Sequence, residues 1–215
     1  MAAFFAAREG ELQKRAGHHA KSIPPLEQAL AYYAAETKKD PQNYSRQYIT
    51  VIMNTELAGS HREIGNNEQA KNFAVNAVLG GRKLVGINTS NRGAKEQLAR
   101  SLTVLSSVDR MIGDFGPSSL SAQEAISIGQ TLLDEQPENE EALDIVIWAQ
   151  THMALTQIGR GDINSACKTS KVIFENMLSA KQFERLRPFT KDRIIKSLMP
   201  ISDNVSCDVE IPTEL

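Results

Sequence analysis

The sequence predicts an all-α protein built as an array of antiparallel helix hairpins, and three observations carry that prediction. The first is a spacing: Gly65, Gly113 and Gly161 stand 48 residues apart, each followed by Asn66, Asp114 or Asp162. The same step relates Asn43 to Asn91 and Asn139, Leu57 to Leu105 and Met153, and Pro41 through Thr89 to Pro137. A step kept at so many unlike positions is an internal repeat. The second is helical periodicity on either side of each glycine, as in Leu98, Leu102, Leu105 and Val108 before Gly113. The third is composition, rich in alanine and leucine with only 6% aromatic residues.

A chain of 215 residues is long enough to bury a sizeable core. Its formal charge of −2 lacks the basic excess of a nucleic-acid or membrane-surface binder. No apolar run approaches the roughly 20 residues that span a bilayer, so no direct membrane insertion is expected. Two cysteines, Cys167 and Cys207, in different contexts read as free thiols of a reducing compartment. A cytoplasmic location follows as the expectation, with a fragment of a membrane-anchored protein as the alternative.

Taken in order, residues 2–16 form a helix that Gly17 ends, 48 residues before Gly65. Residues 1–40 are therefore a partial N-terminal repeat that starts part-way along its first helix, as in a piece cut from a longer array. Its second helix is expected to open at Pro24-Pro25, because a missing N–H costs nothing in a first turn. Three full repeats follow, at 41–88, 89–136 and 137–184. Gly80-Gly81 inside the first marks close packing or a bend. In the second, Gly116-Pro117-Ser118-Ser119 is expected to open into a loop, with Ser121 and Glu124 forming a capping box that restarts the helix. Thr190 caps a C-terminal helix at 185–200, and 201–215 reads as an extended tail.

A small residue late in the first helix, glycine at the turn and alanine early in the second resemble the tetratricopeptide repeat. Leu57-Ala58, Gly65, Ala70 and Ala77 carry the resemblance in the first copy; Met153-Ala154, Gly161 and Ala166 carry it in the third, with Ile173 at the second alanine. The second copy keeps Ser106 and Gly113 and puts Ser118 at the alanine position. The family's usual repeat is about 34 residues, so these helices are each about two turns longer. Such long copies resemble the arrays attached to bacterial eukaryote-like Ser/Thr kinases and related signalling proteins. The resemblance implies a right-handed superhelical α-solenoid and a protein-interaction scaffold that is not an enzyme. The alternative is a regulatory, sensor or self-association region of a larger signalling protein. Homo-oligomerisation is left open.

No constellation of residues argues for chemistry. Asp114-Phe115-Gly116 spells a kinase tripeptide but lacks its companion motifs and sits on a repeat turn. Neighbouring His18 and His19 diverge and have no acidic or thiol partners, so no metal is expected. Nor is a cofactor. What remains is surface. The family's concave positions map onto Ile52, Thr55, Gly59, Arg62, Glu63, Arg100, Thr103, Ser107, Arg110, Met111, Trp148, Thr151, Leu155 and Ile158. Of these, Thr55, Arg62, Arg100, Thr103, Arg110, Trp148 and Thr151 are the candidate partner-binding residues for a protein or peptide. Thr55, Thr103 and Thr151 share one repeat position and make either a hydroxyl ladder along a groove or tight helix packing. Arg62, Arg100 and Arg110 either suit an acidic or carboxylate-bearing segment or are solvated arginines on an exposed helix, and Trp148 serves as an anchor or a core residue.

Overall fold

The computed structural model describes residues 1–178. The expected helix at 185–200 and the tail at 201–215 lie outside the described residues. Within them the chain is helical throughout: α1 (Ala2–Arg15), α2 (His19–Lys39), α3 (Tyr44–Glu63), α4 (Asn67–Ile87), α5 (Arg92–Met111), α6 (Phe115–Glu135), α7 (Glu140–Gly159) and α8 (Ile163–Leu178). The helix starts obey the sequence spacing. The odd helices α3, α5 and α7 begin 48 residues apart, and so do the even helices α2, α4, α6 and α8.

Local chemistry sets both ends of each hairpin. The asparagines found by spacing are caps: the Asn43, Asn91 and Asn139 side chains accept from the backbone N–H groups of Arg46, Ala94 and Ala142. Each satisfies a donor that the first turn leaves orphaned. At the other end Gly17, Gly65, Gly113 and Gly161 have φ of 78°, 78°, 85° and 77°, the left-handed region. Each turn then closes identically. Gly113 N–H donates to the Arg110 carbonyl and Asp114 N–H to the Asp109 carbonyl, and the same pair of bonds recurs at the other three turns. That double bond is a Schellman ending, for which glycine is preferred because it has no Cβ.

Two sequence expectations fail for a shared reason. The stretch Gly116–Ser119 is not a loop, since α6 runs unbroken from Phe115. Pro117 is its third residue, where the N–H would have no partner in the helix anyway. Ser118 is fully buried, and Ser121, also buried, sits inside the helix and does not cap it. In α2 the start lies at His19, so Pro24 and Pro25 are interior residues rather than first-turn ones. In both hairpins the glycine turn fixes where the second helix begins, and the prolines are accommodated. The cysteine expectation also fails: Cys167 is disulfide-bonded. The other cysteine, Cys207, lies outside the described residues.

Small residues let the helices approach. Gly81 and Gly129 share a repeat position; a Cβ on Gly81 would sit 3.2 Å from the Leu98 Cα, and one on Gly129 would sit 2.7 Å from Val146 Cγ2. The expectation of close packing at Gly81 thus describes how an even helix meets the next odd one. Ala29, Ala77, Ala125 and Ile173, again one repeat position, are fully buried, as are Leu84 and Leu132. Each helix packs on its neighbours in the chain. In addition α3 packs on α5 and α5 on α7, whereas among the described residues no even helix makes comparable contact with the next even one. The odd helices therefore lie on the tighter, inner side of the array and the even helices on the outer side.

Candidate functional site

The inner side is the surface to which the candidate residues map by sequence. Its three threonines are buried, and Thr151 is fully so. Each hydroxyl donates to the carbonyl four residues back, Thr55 to Val51, Thr103 to Ala99 and Thr151 to Ile147. Thr55 also meets the Ser101 hydroxyl at 2.9 Å and accepts from Gln97 Nε2 at 3.0 Å, across the α3–α5 contact. These hydroxyls are spent on packing and back-bonding, so the packing alternative describes them and no open ladder forms. Trp148 is half-buried and stacks on His152, with ring centroids 5.8 Å apart.

The three arginines do not converge. Arg100 lies ten residues before Arg110 on α5, about 15 Å along the helix, and pairs with Glu141. Arg62 and Arg110 do come together. They occupy the same repeat position in the last turns of α3 and α5, where the negative end of the helix dipole favours cations. Lys14 on α1 shares that position, so a basic row of Lys14, Arg62 and Arg110 crosses the inner side. Sequence reading missed Lys14, although the 48-residue step was enough to find it.

The three members differ in their partners. Lys14 Nζ meets Glu56 Oε2 at 2.5 Å. Arg62 has a side chain only 11% exposed; it donates to Ser107 Oγ at 2.7 Å and pairs with Glu63. Arg110 has neither kind of partner. One repeat after Ser107 stands Leu155, and one repeat after Glu63 stands Met111. Arg110 Nε is buried without a hydrogen bond, and no carboxylate among the described residues pairs with this guanidinium. Burial, and then the nearby charge of Arg62, push its pKa down. A guanidinium is effectively always protonated, so Arg110 is a half-buried positive charge that no carboxylate among the described residues compensates.

Other polar groups between repeats serve packing. Ser22 and Ser60, both fully buried, meet at 2.8 Å, and Ser118 meets Thr156 at 2.7 Å at the equivalent place one pair of repeats later. Between them the same place holds Ala70 and Val108, so a hydroxyl pair and an apolar pair are interchangeable there. Lys71 pairs with Asp109, which is almost fully buried, and that burial raises the Asp109 pKa in spite of the lysine. His61 is buried against Phe73, and neither ring nitrogen has a hydrogen-bond partner. Burial pushes its pKa down. Among the described residues no three His, Cys, Asp or Glu side chains could hold a metal ion, and no helix is long and apolar enough to cross a membrane.

Fold and site together define a curved array of helical hairpins with an inner face made by its odd helices. Comparison with known proteins adds little to that class. The sequence matches no protein-family profile and no curated protein. Among solved structures the chain is similar to a thermophilic TPR protein of Thermus thermophilus, at 15% identity and a TM-score of 0.41 over 92% of this chain and 100% of that one.

Proposed function

We propose that the chain is a binding module whose inner face, lined by α3, α5 and α7, receives an extended segment of another protein. The observation that carries this reading is the asymmetry of packing, with odd helices gathered on one side and even helices spread on the other. Stacked hairpins curved in this way offer an elongated concave surface, and an extended chain fits it better than a compact ligand does. Arg110 and Met111 are among the residues of that surface with polar or apolar area left to offer, whereas Thr55, Thr103 and Thr151 are withdrawn into the packing. The test is hydrogen exchange on the chain with and without a protein captured from its source cells. The reading expects slowed exchange on α3, α5 and α7 and unchanged exchange on α4 and α6. Slowing confined to the even helices refutes it.

A second reading, self-association, rests on α1. Phe4, Phe5 and Leu12 are 63%, 62% and 54% exposed. One repeat on, Ile52 and Met53 stand where Phe4 and Phe5 do and pack into the core formed with α2. This reading expects light scattering to show a dimer that Phe4→Glu with Phe5→Glu converts to a monomer. A monomeric parent chain rules it out.

A further inference from the structure

We propose that Arg110, backed by Arg62, is the receptor for a carboxylate, so that the segment bound on the inner face is acidic. The inference rests on the inner-face reading and adds the chemistry of its partner. It follows from reading one repeat position across the array. Lys14 is balanced by Glu56 and Arg62 by Glu63, while the position after Arg110 is the apolar Ile158. Arg110 alone keeps its charge and loses both equivalents of Arg62's partners, the hydroxyl of Ser107 to Leu155 and the carboxylate of Glu63 to Met111.

An unpaired, partly desolvated guanidinium costs the fold stability, and a second guanidinium beside it adds repulsion. An incoming carboxylate relieves both and forms charge-assisted hydrogen bonds of matching planar geometry. The row holds one net uncompensated charge, which matches a singly charged aspartate or glutamate better than a doubly charged phosphate. Met111, 44% exposed beside Arg110, supplies apolar area for the residue next to that acid.

The experiment titrates three fluorescein-labelled twelve-residue peptides into the full chain and follows anisotropy. One is rich in glutamate, one has glutamine at those positions, and one has phosphoserine. Arg110→Gln is compared with Arg82→Gln, a charge removed from outer helix α4. The glutamate peptide is expected to bind at least about tenfold more tightly than the glutamine peptide. Arg110→Gln should lose about tenfold, the scale of one charge-assisted hydrogen bond, and Arg82→Gln should lose nothing. Arg110→Ile, which copies the residue at position 158, should lose the same affinity and melt at or above the parent temperature, so the loss is not unfolding. No binding of the glutamate peptide, equal binding of the glutamate and glutamine peptides, equal losses at Arg82 and Arg110, or tighter binding of the phosphopeptide would each overturn the proposal. A captured protein that still slows exchange on α3, α5 and α7 but binds Arg110→Gln as well as the parent overturns the carboxylate and leaves the inner face standing. Absence of slowing there removes the inner face itself.

Discussion

The four turn glycines can be tested one at a time, because only backbone strain separates them from alanine. Their φ values span 77° to 85°, and a Cβ built on Gly65, Gly113 or Gly161 meets nothing within 4 Å. Sterics with neighbours therefore contribute nothing. The whole cost of Gly→Ala is that of holding an L-residue in the left-handed region, about 1–2 kcal/mol. In a chain of this size each kcal/mol lowers Tm by about 2–4 °C, so each substitution should lower it by about 2–8 °C. The equivalence of the turns makes the prediction sharper: Gly65→Ala and Gly113→Ala should cost the same to within about 0.5 kcal/mol. Asparagine, which tolerates this region better, should cost less. Gly86→Ala, on the exposed side of α4 with nothing within 4 Å, should instead stabilise by about 0.5–1 kcal/mol. Urea unfolding followed by circular dichroism reads all of these. If the two turn substitutions are silent, or cost no more than Gly86→Ala, the glycines do not hold the left-handed conformation and the hairpin turns are built differently.

Two further predictions concern the buried polar groups. Ser118→Ala should cost about 0.5–1.5 kcal/mol; adding Thr156→Val recreates the Ala70–Val108 arrangement, so the double variant should be less destabilised in urea than the two single costs added. Burial holds the His61 pKa below its unfolded value of about 6.5, so the unfolded chain takes up the proton first. Stability is then full above pH 6.5 and falls as the pH drops towards the folded-state pKa. His61→Gln, the residue found at the equivalent positions 13 and 157, should flatten the decline in Tm between pH 7 and pH 5. An unchanged slope would show that the decline comes from other groups.

The fold was legible where one residue type answers one physical demand. Gly65 and its counterparts mark a left-handed turn that few residues tolerate, and Asn43, Asn91 and Asn139 mark first turns short of acceptors, so spacing alone located every hairpin from α1 to α8. It misled where local chemistry suggested more than the repeat permits. Pro117 and Ser121 look like a break and a restart, yet the turn at Gly113 had already set the start of α6, and a proline in a first turn is no obstacle. The candidate site was half legible. Residue type drew attention to Arg62, Arg100 and Arg110, but only packing shows that Arg100 meets Glu141, that the threonines are turned into the α3–α5–α7 contact, and that Arg110 is left without a partner. Pairing across helices is a three-dimensional fact. It became predictable only after the register was known, when the steps from Ser107 to Leu155 and from Glu63 to Met111 could be read.

The most direct test of the inner face is site-specific photo-crosslinking in the source cells. A benzophenone side chain replaces Met111 on α5 in one variant and Leu79 on α4 in another, both exposed positions, one on an inner helix and one on an outer helix. The account predicts a discrete protein adduct from position 111 and none from position 79. Adducts from position 79 alone, or equal adducts from both, would contradict it.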